Sequence, residues 1–221
     1  MISIAFILIS LLSLSGLYFG AGRDLRLLLF FVIWQLFAGT LAYLKVFEKT
    51  PLLFPLLMAG TIAVTIFSLK RIGKQKLNPN ILLSIHVLRI PVELILFQLF
   101  LQNKIPNLMT FKGWNFDILI GLSALAILFY QFISKRKIKP QFFLIWNITG
   151  IVFLSIIVTL AILSAPLPVQ QFAFDQPNIA VLEFPYCWLP TCVVPIVLIS
   201  HILLLKKTID PASIQSTPNL P

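Results

Sequence analysis

The chain has little charge, and most of the charge it has is positive. Only 11% of its 221 residues are Asp, Glu, Lys or Arg, against roughly 25% in a typical soluble domain. Hydrophobic residues make up 59% of the chain, and its mean hydropathy is +0.99. A composition this apolar excludes a soluble globular domain and predicts a protein embedded in a membrane.

Cysteine is also scarce, with only Cys187 and Cys192 in the chain. Their C-x4-C spacing is not a zinc motif, so we predict no metal site from the cysteines. Five residues apart on one helix, the two side chains point about 140° apart. That angle favours two free, buried thiols that pack as small apolar groups. The alternative is a disulfide, if the outer face of the membrane is oxidising.

No motif names a reaction or a cofactor. The sequence lacks the H-E-x-x-H, G-x-S-x-G and P-loop patterns. The lysines of the last apolar run, Lys206 and Lys207, lie at the membrane edge, which excludes a buried Schiff-base lysine for retinal. Pro140-Gln141 has no counterpart elsewhere, which excludes a sugar exporter built from two repeats with paired Pro-Gln turns. Whether the protein is an enzyme stays open.

What the chain does contain is a series of long apolar runs. About seven of them reach the length of a membrane span, near or above 18 residues. The runs are 2–20, 27–44, 52–69, 81–102, 116–134, 142–163 and 186–205. No connection is long enough to hold a second domain. We therefore predict an all-α, polytopic transmembrane helical bundle over residues 1–207, with a disordered cytoplasmic tail at 208–221.

The first run has features of a retained helix rather than a cleaved signal peptide. Arg23 and Arg26 follow the run instead of preceding it, whereas a signal peptide begins with its positive charges. The run also holds Gly16-x3-Gly20. Small residues at this spacing predict close packing against another membrane helix.

The positive charge alternates along the chain as expected for seven spans. On one side lie Arg23, Arg26, Lys70, Arg71, Lys74, Lys76, Lys135, Arg136, Lys137, Lys139, Lys206 and Lys207. On the other side lie only Lys45, Lys49, Lys104 and Lys112. Basic residues in short loops mark the cytoplasmic side, so we predict an outside N-terminus and a cytoplasmic C-terminus. The net charge of +10 then reflects contact with anionic lipid rather than with nucleic acid.

The fourth run, 81–102, carries three ionisable residues on one face. At 100° per residue, His86, Arg89 and Glu93 fall within an arc of about 60°. Each such group costs about 2.5–3.5 kcal/mol at the centre of a membrane helix, so this face should point into the bundle. Asn147 and His201 lie at a depth similar to that of His86, which predicts a layer of three polar residues if their helices are neighbours.

Several interpretations of this face stay open. Arg89 and Glu93, four residues apart, are spaced to form a local ion pair that only fixes helix packing. Alternatively, the face lines a site that binds or moves a small solute or a proton. His86 and His201 at matched depth are also compatible with axial ligation of a haem or a metal. Glu93 or Asp117 could instead act as the base of an enzyme that acts on lipid.

The outer connections supply a second group of candidate residues. The connection 165–185 is long, apolar and aromatic, which predicts a segment folded over the bundle as a lid or a partner surface. Asp117 is placed to cap the fifth helix. The candidate contact residues of the outer connections are Asn115, Asp117, Asp175, Asn178 and Glu183.

Three stretches together resemble a family of small polytopic bacterial membrane proteins that has no assigned activity. They are HVLRIPVELILF, IPNLMTFKGWNFDILIGL and FPYCWLPTCVVPIVLISH, within residues 81–205. The resemblance implies the membrane architecture and implies no substrate, cofactor or catalytic residue.

We therefore expect a multi-pass protein of the bacterial inner membrane. The favoured function is a structural or partner-binding membrane subunit. Its partners would be the lipid bilayer and another membrane protein or a small-molecule ligand. The alternatives are a solute or proton site on the His86, Arg89 and Glu93 face, and a redox protein that uses His86 and His201.

Overall fold

The computed structural model describes residues 1–72 and 76–209, and over these ranges the chain is helical without a strand. Seven helices in this part of the chain are long and apolar enough to cross a membrane. They are α1 (Ile2–Gly20), α2 (Leu25–Tyr43), α3 (Pro51–Ile72), α4 (Pro79–Leu101), α5 (Asp117–Ser134), α6 (Pro140–Leu163) and α7 (Leu189–Ile209). This confirms the predicted all-α transmembrane bundle.

The predicted tail, 208–221, lies almost entirely outside the described residues. Only Thr208 and Ile209 belong to the described part, and they form the end of α7.

The connection between α2 and α3 contains a short helix, Val46–Lys49. The other two connections at the same end of the bundle, 102–116 and 164–188, are longer.

Helix α1 packs against α4 through its two glycines. A Cβ atom on Gly16 would lie 2.8 Å from Ile85 Cγ1, and one on Gly20 would lie 2.9 Å from Leu82 Cδ2. The backbone N–H of Asn78 also donates to the carbonyl of Gly20, at 2.8 Å. The close packing predicted from the Gly-x3-Gly spacing is therefore present, with α4 as the partner.

Helices α4 and α7 are both irregular near proline. In α4, a 3-10 turn at His86–Leu88 separates the α-helical parts Pro79–Ile85 and Arg89–Leu101. Pro91, which follows closely, lacks the N–H that would bond to the carbonyl of Val87. The turn changes the direction of the side chains between the two halves of α4.

Helix α7 begins with a π-helical turn, Leu189–Val193. Pro195 lacks the N–H that would bond to the Thr191 carbonyl. Gln35 of α2 donates to that carbonyl at 2.8 Å and accepts from the Thr191 hydroxyl at 2.8 Å. This pair of bonds ties α2 to α7, the most buried of the seven spans.

The end of the bundle that carries residues 103–116 and 165–188 is here called the lid end. Gln176 donates to the carbonyls of Phe100, at 3.0 Å, and Ile105, at 2.6 Å. Lys104 and Glu183 form an ion pair across the two segments. The segment 165–188 thus folds across the ends of the helices, in the position predicted for a lid.

The opposite end, here called the basic end, carries the connections from α1 to α2, α3 to α4 and α5 to α6. An ion pair joins Arg71 at the end of α3 to Asp24 at the start of α2. Lys207 of α7 donates to the carbonyl of Leu77 at 3.3 Å. These contacts hold the ends of α2, α3, α4 and α7 together.

Helix α5 begins well below the lid end of α4. A Cβ atom on Gly121 would lie 2.8 Å from Ile90 Cγ1, which sets Asp117 near the level of Glu93. From Glu93, α4 continues for a further eight residues to Leu101, about 12 Å at 1.5 Å per residue. Residues 103–116 therefore fold back into the bundle, and we call them the re-entrant segment.

The backbone of the re-entrant segment satisfies much of its own hydrogen bonding. The N–H of Trp114 donates to the Leu108 carbonyl at 3.1 Å, and that of Asn115 donates to the Thr110 carbonyl at 3.3 Å. Non-helical backbone at membrane depth is tolerated where protein surrounds it. The segment thereby brings two polar side chains, Asn115 and Asp117, to the middle of α4.

Candidate functional site: a buried polar cluster

Seven polar side chains meet between α4, α5, α6 and α7, and each residue is at most 6% exposed. This polar cluster consists of His86, Arg89, Glu93, Asn115, Asp117, Asn147 and His201. The ionisable residues of α4 thus face the bundle interior, where the cost of burying them is reduced by partners.

Arg89 lies at the centre of the polar cluster and reaches three other helices. Its Nη2 lies 3.2 Å from Asp117 Oδ2 in α5 and 3.5 Å from the Gly150 carbonyl in α6. Its Nη1 lies 3.4 Å from His201 Nε2 in α7. The predicted ion pair between Arg89 and Glu93 is wrong: among the described residues the ion-pair partner of Arg89 is Asp117. The i,i+4 rule applies to an isolated helix surface, whereas here a second carboxylate arrives from another element.

Glu93 is held by an amide instead of a cation. Asn115 Nδ2 donates to Glu93 Oε1 at 2.7 Å and to the Met109 carbonyl at 3.0 Å. Asn115 Oδ1 accepts from the Asp117 N–H at 3.1 Å. Asn115 therefore caps the start of α5, so the predicted capping role of Asp117 is wrong. The Asp117 carboxylate instead pairs with Arg89.

His201 is fixed as a single tautomer by its neighbours. Asn147 Nδ2 donates to the Phe143 carbonyl at 2.8 Å, which turns the Asn147 Oδ1 towards His201 Nδ1, at 2.9 Å. We therefore assign the proton of the neutral ring to Nδ1. This assignment leaves the lone pair of Nε2 facing the Arg89 guanidinium. His201 thus donates to Asn147 and accepts from Arg89.

His86 packs against aromatic rings and makes no hydrogen bond through either ring nitrogen. Its ring centroid lies 3.9 Å from that of His201, with 35° between the planes. Trp146 contacts His86 edge-on, at 5.3 Å between centroids, and donates to Ser123 at 2.8 Å. The structure thus places His86, Asn147 and His201 together in one layer.

This arrangement does not fit a haem between the two histidines. Axial ligation places the plane of the macrocycle between the two imidazoles. Rings whose centroids are 3.9 Å apart are already in van der Waals contact, about 3.5–4.0 Å. His201 Nε2 also faces a guanidinium, which disfavours a metal cation at that atom. Among the described residues, no group of three or more His, Cys, Asp or Glu is placed to hold a metal ion.

The residues predicted to make outer contacts divide into buried and exposed ones. Asn115, Asp117 and Asn178 are buried within the chain. Asn178 donates to the Ala161 carbonyl at 3.2 Å. Glu183 pairs with Lys104, while Asp175 is exposed. The difference arises because the connections of the lid end fold inwards.

Gly150 also shapes this site, although no sequence motif marks it. A Cβ atom on Gly150 would lie 2.3 Å from His201 Cε1, so only glycine admits the ring at this distance. Its spacing could have indicated this role, because Gly150 lies three residues after Asn147 and hence on the same face of α6.

Cys187 and Cys192 are free and buried, as the free-thiol alternative predicts. Cys187 Sγ lies 4.0 Å from the Ala38 carbonyl, and Cys192 Sγ lies 4.0 Å from Ser13 Oγ. Cys187 precedes α7, and burial raises the pKa of its thiol to about 12. The thiol is therefore neutral across the physiological range.

Within the part of the chain that the structure describes, five atoms of the polar cluster are buried without a hydrogen-bond partner. They are His86 Nδ1, His86 Nε2, Arg89 Nε, Glu93 Oε2 and Asp117 Oδ1. An unpartnered buried polar atom costs about 1–3 kcal/mol. Such atoms are uncommon in folded proteins, where most buried polar groups have a partner.

The fold and the site define a class: a multi-pass, all-α membrane protein with an ionisable cluster inside its bundle. Residues 46–208 match the family described as Domain of unknown function (DUF8737). The chain belongs to this family, and the matched range contains the whole polar cluster. This agrees with the predicted resemblance to a family without an assigned activity. Neither a search of curated proteins nor a search of solved structures finds a match to the chain.

Proposed function

We propose that the protein resides in the bacterial inner membrane and binds a proton at Glu93, inside the polar cluster. In this proposal the N-terminus lies outside and the C-terminus in the cytoplasm. The orientation is supported by the excess of Lys and Arg in the connections of the basic end. The proton site is supported by the balance of charge around Arg89.

The charge balance is the observation that carries the proposal. One guanidinium and two carboxyl groups lie together, in residues that are 3%, 2% and 6% exposed for Arg89, Glu93 and Asp117. Arg89 pairs with Asp117 at 3.2 Å, which neutralises that carboxylate. Among the described residues, the hydrogen-bond partner of Glu93 is the neutral amide of Asn115. An unpaired buried charge costs several kcal/mol, so Glu93 is neutral and carries a proton.

The unpartnered atoms also support a titratable site. A network that served packing alone would be stabilised by satisfying every buried group, because a partly satisfied network is costly in a low dielectric. Glu93 Oε2 and both nitrogens of His86 have no partner. Ionisable residues inside a membrane bundle are typical of proton relays.

Infrared spectroscopy of the purified protein tests the proposal. At neutral pH we expect a carboxylic-acid carbonyl band that is lost in Glu93→Gln. The matched control is Glu48→Gln, because Glu48 is an exposed glutamate in the short helix between α2 and α3. A wild-type spectrum without any band that depends on Glu93 would show that Glu93 is ionised and would refute the proposal.

A structural or partner-binding subunit is the second candidate. The observation that favours it is the exposure of Val169, Phe172 and Phe174, which are 51%, 44% and 70% exposed on the lid segment. Exposed apolar side chains close together are typical of contact sites. If partner binding is the function, Phe172→Ser with Phe174→Ser should abolish partner cross-linking in native membranes. Arg89→Gln with Glu93→Leu should preserve it.

A further inference from the structure

We propose that Glu93 exchanges its proton with the lid end of the bundle, past Asn115 of the re-entrant segment. This inference rests on the proposed function, since it assigns a side of the membrane to the same proton. Three features carry it: the depth of Glu93, the hydrogen bonds of Asn115, and the position of Arg89.

Glu93 lies closer to the lid end than to the basic end. Helix α4 extends from Pro79 to Leu101, so Glu93 lies fourteen residues from the first and eight from the second. At 1.5 Å per residue these separations are about 21 Å and about 12 Å. The re-entrant segment shortens the second path further, because it carries polar groups from the surface down to Glu93.

Asn115 is the residue of the re-entrant segment whose side chain contacts Glu93. Trp114 and Phe116 are 67% and 38% exposed, whereas Asn115 between them is 2% exposed. Its amide contacts both Glu93 Oε1 and the Met109 carbonyl. Asn115 therefore joins Glu93 to the backbone of the re-entrant segment, which leads to the lid end.

The path towards the basic end passes Arg89 and then, beyond the layer of His86, Asn147 and His201, buried apolar residues of α4. Arg89 lies one turn below Glu93, and its guanidinium is permanently charged. A fixed cation raises the electrostatic barrier for a passing proton. Below it, Leu82, Leu83 and Ile85 are fully buried in the core. Both effects favour exchange with the lid end.

Few other charged groups face Glu93. Its own helix contributes Arg89, α5 contributes Asp117, and α7 contributes His201 on the far side of Arg89. Helix α1, which packs against this half of α4, has no Asp, Glu, Lys, Arg or His. The re-entrant lysines are engaged elsewhere: Lys104 pairs with Glu183, and Lys112 lies 4.6 Å from the centre of the Phe97 ring. The protonation of Glu93 should therefore follow the pH of the side that it contacts.

The test uses the full chain in vesicles whose inner and outer pH differ. Dicyclohexylcarbodiimide reacts with protonated carboxyl groups: the acid proton moves to a carbodiimide nitrogen while the carboxyl oxygen bonds to the central carbon. The acyl group then migrates to nitrogen and leaves a stable N-acylurea on the residue, which mass spectrometry detects. An impermeant amine reagent identifies the sides, because Lys112 at the lid end and Lys137 at the basic end are both exposed.

We expect labelling of Glu93 to fall as the pH rises on the side where Lys112 reacts, by up to about tenfold per pH unit. Changing the pH on the Lys137 side should leave the labelling unchanged. Asn115→Leu should slow the response to a pH jump at the lid end, whereas Trp114→Phe, at the exposed neighbour, should not. If Asn115→Leu fails to fold, the dependence of wild-type labelling on the pH of each side tests the inference by itself.

Labelling that follows the pH on the Lys137 side, or that responds to neither side, would overturn the inference. Both results leave the proposed function intact if the infrared band of Glu93 is present. If that band is absent, the proposed function fails first, and the inference fails with it.

Discussion

Gly150 sets the position of His201, and through it the position of Arg89. A methyl group at Gly150 would lie 2.3 Å from His201 Cε1 and 2.5 Å from Nε2, the atom that accepts from Arg89. We predict that Gly150→Ala displaces the His201 ring and lowers the free energy of unfolding by about 1–3 kcal/mol. Thermal unfolding in detergent measures the loss.

The matched control adds one carbon to the same helix at a position that faces away from the bundle. Ser155 is exposed on α6, so Ser155→Thr should change the free energy of unfolding by less than about 0.5 kcal/mol. Equal stability of Gly150→Ala and Ser155→Thr would contradict the tight contact between Gly150 and His201.

At the residue scale, periodicity predicted which α4 side chains face inwards but not what they contact. His86, Arg89 and Glu93 were placed on one buried face by their spacing alone. The partner of Arg89 was missed because Asp117 reaches it through the fold of the re-entrant segment, over many residues without a helical period. A pairing rule based on four-residue spacing contains no information about such a segment.

At the scale of elements, the contact of α1 with α4 depends on Gly20. A Cβ atom there would lie 2.9 Å from Leu82 Cδ2 and 3.3 Å from the Leu82 backbone nitrogen, which cannot move away without shifting α4. We predict that Gly20→Val separates the two helices and costs about 1–3 kcal/mol or more. Unfolding in a detergent series measures this cost.

Ser15→Val provides the comparison for Gly20→Val, because Ser15 lies on the exposed face of α1. It should leave the unfolding midpoint within about a degree of the wild-type value, since exposed positions tolerate substitution. A comparable loss in both variants would mean that the effect arises from the helix itself and not from its contact with α4.

The elements show what a sequence pattern leaves open. The Gly-x3-Gly spacing predicted close packing of α1 correctly, yet it identified no partner. The glycines lie against α4, which is the fourth helix along the chain and not the next one. Adjacency depends on how all seven helices fill the bundle, which no single helix encodes.

At the scale of the whole molecule, the proposed orientation predicts which lysines react from outside the cell. Lys112 is exposed at the lid end, and Lys137 is exposed at the basic end. An impermeant amine reagent applied to intact cells should modify Lys112 and spare Lys137, and inverted vesicles should give the opposite pattern. Lys104, in its ion pair with Glu183, should react more slowly than Lys112.

Modification of Lys137 in intact cells would contradict the proposed orientation and indicate the opposite one, with the same fold.

The number and bounds of the helices were predictable from hydropathy, because the length of an apolar run follows from the thickness of the bilayer. The depth of the re-entrant segment was not predictable in this way, since it depends on contacts of residues 103–116 with α4 and α6, which hydropathy does not describe.

The contact between α1 and α4 also sets an order of events during synthesis. Gly20 and its partner Leu82 are separated by about 60 residues, which take roughly 3–12 s to make at about 5–20 residues per second. During that interval α1 is in the membrane with its small-residue face covered only by lipid or by the insertion machinery. Helix α1 is thus completed only when α4 follows it, and a nascent chain halted before α4 leaves α1 without its main partner.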